Sequence, residues 1–98
     1  MTRWFHPLFE NDLTAAALYY EQQRNGLGAE FLDASEQAVE IVAAAPRRWP
    51  ARSGGIRRFL IERFPYVIRY RLSPSGDVIE FLSVIHGARH PDIGQERA

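Results

Sequence analysis

Tyr66-Val67-Ile68-Arg69-Tyr70-Arg71-Leu72-Ser73-Pro74-Ser75-Gly76-Asp77-Val78-Ile79-Glu80-Phe81-Leu82-Ser83-Val84-Ile85 is the stretch on which the fold turns. Two runs rich in branched and aromatic residues flank a cluster of Ser, Pro, Gly and Asp, which reads as two strands and a tight turn. Strands joined so closely pair as an antiparallel hairpin. Alternation places Tyr66, Ile68, Tyr70 and Leu72 on one face of the first strand and Val67, Arg69 and Arg71 on the other. In the second strand it places Ile79, Phe81 and Ile85 on one face, and Glu80, Leu82, Val84 and His86 on the other. The apolar faces are expected to meet helices. The arginine-bearing face is expected to stay open, with His86 at its end.

Working outward, Ile56-Arg57-Arg58-Phe59-Leu60-Ile61 reads as a further strand, set off by a joint at Arg63-Phe64-Pro65. Arg47-Arg48-Trp49-Pro50-Ala51-Arg52-Ser53-Gly54-Gly55 before it is a loop. Trp49 reads as a plug closing the helix end against the sheet. Two helices precede the loop. The first starts at Asn11 or Asp12, both good N-cap residues, and stops at Asn25-Gly26. Leu13, Ala16 or Ala17 and Tyr20 form its apolar stripe, which Leu18 and Tyr19 widen. The second spans about residues 27–45, with Phe31, Ala34, Ala38, Ile41, Val42 and Ala45 inward, Leu32 and Val39 at the flank, and Pro46 as its stop. Helices so closely joined are antiparallel neighbours. Residues 2–6 could add a short strand ended by Pro7, and residues 87–98 read as polar and irregular. The expected fold is α+β: an N-terminal antiparallel helical hairpin packed on an antiparallel sheet of three or four strands.

Composition narrows the function. The 98 residues are 46% hydrophobic, 24% charged and 12% aromatic, which is globular and enough for one domain. No cysteine is present, which excludes disulfides and thiolate chemistry. No apolar run has the length of a membrane span, and the first residues lack a signal-peptide core, so a cytoplasmic protein without membrane association is expected.

The net charge of zero hides a segregation. Residues 1–46 carry two arginines against seven acids, and residues 47–71 carry eight arginines against Glu62 alone. Every basic residue is arginine, whose planar fork suits carboxylate and phosphate. The basic stretch therefore marks a face for an anionic partner, unless its arginines pair with the acidic first half. His86 suits proton transfer near neutral pH or a plain hydrogen bond at a strand end. A metal set of His86, His90 and Asp92 is opposed by Gly87 and Pro91, which break the helix such spacing needs. We expect no metal and no cofactor. Trp49, Tyr66 and Tyr70 could stack on bases or simply pack. Nucleophile elbows, phosphate-cradling glycine loops and paired catalytic carboxylates are absent from the sequence.

The order of several pieces is similar to a known family. They are Ala16-Ala17-Leu18-Tyr19-Tyr20, Gly26-Leu27-Gly28-Ala29-Glu30-Phe31-Leu32, Pro46-Arg47-Arg48-Trp49-Pro50, Gly55-Ile56-Arg57-Arg58-Phe59-Leu60, Arg63-Phe64-Pro65-Tyr66-Val67-Ile68-Arg69-Tyr70 and His86-Gly87-Ala88-Arg89-His90-Pro91. Together they resemble the RelE/ParE superfamily of type II toxin–antitoxin toxins, closer to the ParE branch. The resemblance covers about residues 11–92 of one domain spanning 1–98.

It implies a growth-inhibiting toxin of a plasmid-stabilisation type, with a cognate antitoxin as partner and DNA gyrase as target. The RelE branch instead implies ribosome-dependent cleavage of mRNA. In that alternative Arg57, Arg58 and His86 fall at catalytic positions. However, Gly87 follows the histidine where nucleases have tyrosine, Pro65 or Tyr66 replaces their mid-sheet arginine, and lysine is missing. These departures favour the ParE-like reading, in which Arg57, Arg58, Arg63, Arg69, Arg71 and Arg89 are the expected contacts to a target or nucleic acid. A third alternative is an inactive antitoxin-binding or regulatory module.

Overall fold

A computed structural model describes residues 1–87. Strand β1 (Thr2–Phe5) leads into helices α1 (Phe9–Gln23) and α2 (Leu27–Ala44). A short 3-10 turn (Ser53–Gly55) precedes β2 (Arg57–Leu60), β3 (Tyr66–Leu72) and β4 (Val78–His86). The four strands form one sheet in the order β1-β4-β3-β2. The central hairpin is as expected: β3 and β4 run antiparallel, and β2 pairs antiparallel with β3.

The sheet is nevertheless mixed, because β1 runs parallel to β4. This corrects the all-antiparallel expectation. Adjacent parallel strands need a long crossover, and the helical hairpin and the next two strands supply it. A four-residue strand has too little pattern to reveal the direction of its partner.

Helix α1 begins earlier than its capping residues suggest. Its N-cap is Leu8, with no side-chain cap, and Phe9 is already in the core. Burying a phenylalanine stabilises by roughly 1.5–3 kcal/mol, more than the ~1 kcal/mol of a good cap. His6 serves the helix start instead: its Nδ1 accepts from the Leu8 amide at 3.1 Å and its carbonyl from the Phe9 amide at 2.9 Å. Asp12, expected as a cap, is inside the helix, where its Oδ2 accepts from the Val84 amide of β4 at 3.0 Å.

The helical joint rests on two glycines. Gly26 has φ +88°, a left-handed conformation that favours glycine. At Gly28 a Cβ would stand 2.6 Å from the Ala17 carbonyl oxygen, so the helices approach there only because that atom is missing. The Glu21 carboxylate accepts from both glycine amides, at 2.9 Å and 3.0 Å, and so caps α2 from α1.

The buried stripe of α2 is Phe31, Ser35, Ala38, Val39 and Val42. Val39 is therefore core rather than flank, and Ile41, expected inward, is 47% exposed. Ser35 turns the stripe toward itself: its hydroxyl donates to the Phe31 carbonyl, so a small polar residue is satisfied inside the core. Tyr20, Phe31, Phe64 and Tyr66 pack as an aromatic cluster at the same end.

Candidate functional site

The β3–β4 register sets the site. Tyr70 stands opposite Phe81, and the next residue, Arg69, stands opposite Ser83. One step on β3 thus spans two on β4, and Leu82 is the extra residue of a β-bulge. Beyond the bulge the faces exchange. Val84 joins Ile79 and Phe81 in the core, and His86 pairs with Tyr66 on the helix side. The expected grouping of Glu80, Leu82, Val84 and His86 on the arginine face is corrected accordingly. Ile85 exchanges with Val84 and lies opposite Val67 on the far side.

Three rows of paired residues therefore cross the far side of the sheet. They are Leu60, Val67 and Ile85; Arg58, Arg69 and Ser83; and Arg71, Glu80 and Trp4. This side is not open as expected. Val67, Arg69, Leu82, Ser83 and Ile85 are all buried, Arg69 at 3% exposure. The bulge exchanges Val84 for Ile85 beside Val67, so this side keeps apolar residues among its arginines.

The predicted arginine set divides by partner. Arg57 lies on the helix side opposite Tyr70 and donates from Nη1 to the carbonyls of Arg47 and Trp49. It braces the loop after α2. Arg63, with φ +74°, pairs with Glu30 of α2 at 2.7 Å and lies over the Phe64 ring. Arg71 pairs with Glu80 of its own sheet at 2.6 Å. Arg58 is directly opposite Arg69. Arg89, with His90 and Asp92, lies outside the described residues. Among the described residues, Arg63 is the member of this set seen paired with a helix carboxylate. Arg3 and Arg24 make the other helix pairs, with Glu40 and Glu30.

Arg57, Arg58 and His86 are not brought together. Arg58 projects from the far side, while Arg57 and His86 share the helix side. Those two face Tyr70 and Tyr66, four residues or about 13 Å apart along β3, from strands on its opposite flanks. Among the described residues no cluster of three His, Asp or Glu could hold a metal ion.

His86 instead lines a cleft of about 720 Å³ between α1 and the ends of β3 and β4. Asp12, Ala15, Tyr19, Tyr20 and Tyr66 share its walls. The imidazole lies edge-on to Tyr66, with centroids 5.4 Å apart. Burial pushes the Tyr20 hydroxyl above its ordinary pKa, aided by Tyr66 and Tyr19. Tyr19 lines this cleft while 55% exposed, and Leu18, expected with it to widen the inward stripe, is 60% exposed. The sequence hid this cleft because its walls belong to elements more than forty residues apart.

A second group belongs to the basic stretch of the sequence but not to the expected contact set. Arg47, Arg48 and Arg52 are exposed in the loop after α2, and among the described residues none makes an ion pair. Trp49 is half-buried between the loop and β2, edge-on to Phe59 at 4.8 Å, and so acts as the expected plug.

Residues 4–91 match the family model described as the ParE toxin of the type II toxin–antitoxin system parDE. Among solved structures the chain is similar to the "Chromosomal ParDE TA system from P. aeruginosa". That likeness has a TM-score of 0.67 and 22% identity, over 88% of this chain and 95% of the other. No curated protein matches the chain significantly. Among the described residues no helix is long and apolar enough to cross a membrane.

Proposed function

The chain belongs to the family of ParE toxins of type II toxin–antitoxin systems, and we propose that it inhibits growth by binding a macromolecular target, DNA gyrase, until a cognate antitoxin covers it. The observation that carries this reading is the family match over residues 4–91. The separation of Arg57, Arg58 and His86 supports binding over RNA cleavage, since a phosphate held by one of them is out of reach of the others. The cleft beside α1 is the proposed seat of the antitoxin. Its aromatic walls and the exposed Tyr19 suit an apolar helical segment laid into a groove.

Expression of this chain alone and together with its neighbouring reading frame tests the proposal. Arrested growth with the chain alone and restored growth with both are expected. Unimpaired growth with the chain alone would overturn the toxin activity while leaving the fold untouched.

A further inference from the structure

The loop between α2 and β2 concentrates positive charge outside the ion pairs of the described residues. Arg47, Arg48 and Arg52 fall within six positions, all exposed. The four ion pairs of the described residues occupy Arg3, Arg24, Arg63 and Arg71 and leave these three out. Exposed arginines of this density on an unfixed loop would be ordinary solvated surface. Here the loop is fixed at four points. Arg57 donates from Nη1 to the carbonyls of Arg47 and Trp49. The Tyr70 hydroxyl donates to the Pro46 carbonyl at 2.8 Å. Trp49 packs edge-on against Phe59. The Arg52 amide donates to the Ile56 carbonyl at 2.8 Å, closing the far end. Two buried or half-buried side chains of the sheet, Tyr70 and Arg57, thus use their polar groups to hold this loop still. Preorganisation of this kind lowers the ordering cost of binding.

The chemistry of the ridge selects its partner. Between and beside the arginines stand Pro50, Ala51, Ser53, Gly54 and Gly55, with no exposed large apolar side chain. Protein interfaces gather around buried apolar or aromatic anchors, and none is offered here. Single-stranded nucleic acid is gripped by stacking on exposed rings, yet the loop's one ring, Trp49, is packed against Phe59. RNA duplexes are distinguished through 2′-hydroxyl contacts. The loop offers one hydroxyl for this, Ser53, too few for a row of such contacts along a minor groove, and Ser73 and Ser75, in the β3–β4 turn that Arg47 abuts at Gly76, bond each other and the turn's own amides. What remains is a rigid, polar set of guanidinium forks suited to phosphodiester oxygens along a DNA duplex.

We propose that the loop bearing Arg47, Arg48 and Arg52 is a docking ridge for the phosphate backbone of double-stranded DNA, read without regard to base sequence. The ridge is distinct from the cleft beside α1 and does not depend on the antitoxin assignment made for it.

The test is fluorescence anisotropy of the full chain with a labelled DNA duplex of mixed sequence, across a salt series. Competitors are the single strand, an RNA duplex and poly-glutamate. The wild type is expected to bind the DNA duplex most tightly. Replacing Arg47, Arg48 and Arg52 by Gln together should weaken binding at least tenfold at low salt. It should also flatten the slope of log K against log salt by about 3, one for each phosphate that no longer meets a guanidinium. Arg24→Gln, which removes a pair on the helical hairpin, should leave both quantities unchanged, and circular dichroism should show all variants folded. No binding by the wild type, an unchanged slope in the triple variant, or tighter binding of any competitor would overturn the proposal.

Discussion

The imidazole of His86 stands edge-on to the ring of Tyr66, 5.4 Å away, on the side of the sheet opposite Arg58 and Arg69. That relationship follows from a single extra residue, Leu82, in β4. It separates the histidine of β4 from arginines with which it would have to share a phosphate. This separation supports the binding role proposed above.

The binding account therefore predicts that His86→Ala keeps growth inhibition. The change removes the ring contact with Tyr66, worth about 0.5–1.5 kcal/mol, and should lower the melting temperature. Induced cultures compared for growth arrest check this directly. Loss of arrest with the fold intact would assign the imidazole a chemical role.

Gly28→Ala should weaken the helical hairpin. The new methyl would meet the Ala17 carbonyl oxygen at 2.6 Å, and both partners are backbone-fixed. A loss of about 1–3 kcal/mol is expected, as for overpacked contacts, read as an earlier midpoint in urea unfolding. A midpoint at or above that of the wild type would show that the helices can part without cost.

Acid should erode the same joint. The Gly26 and Gly28 amides donate to the Glu21 carboxylate and hold its pKa below the ordinary 4.5. A carboxyl lowered by folding lends stability above its ordinary pKa and loses it as pH falls through the depressed value. Urea midpoints should fall as pH drops from about 4.5 downward, and Glu21→Gln should show a smaller fall than the wild type. Glu30, lowered by Arg63 and Arg24, and Glu40, lowered by Arg3, act in the same direction. Equal acid sensitivity of the wild type and Glu21→Gln would contradict this cap.

Arg57→Met should loosen the loop after α2. It deprives the carbonyls of Arg47 and Trp49 of a charged donor, a loss of about 1–3 kcal/mol. Faster amide exchange at residues 47–52 is the expected readout, and unchanged exchange would remove Arg57 from the brace.

Tyr19→Asp should weaken antitoxin capture without destabilising the fold, because Tyr19 is 55% exposed at the rim of the cleft. A tenfold rise in Kd, about 1.4 kcal/mol, is expected in titrations against the neighbouring gene product. Unaltered affinity would move the antitoxin off this cleft.

Much of this architecture is legible in the sequence. The bounds of β3 and the turn at residues 73–77 follow from composition, and the helical hairpin from periodicity and glycine. Three features are not, each for its own reason. The Leu82 bulge is invisible because Leu82, Val84 and Ile85 are all apolar, so either face assignment reads as a strand. The parallel pairing of β1 depends on contacts across the whole chain. The cap at Asp12 lost to Phe9, whose burial is worth more. In the site, the charge segregation is plain from the sequence. The division of its arginines into braces, ion pairs and the loop ridge depends on distances no spacing encodes.

The central claim, that this ParE-type toxin acts by binding gyrase and not by cleaving mRNA, is tested most directly in cells induced for the chain without its antitoxin. DNA–gyrase complexes and mRNA integrity are followed in the same culture. The account predicts trapped, cleaved DNA–gyrase complexes with mRNA intact. Translation-dependent mRNA cuts that vanish in His86→Ala, with no gyrase complexes accumulating, would contradict it.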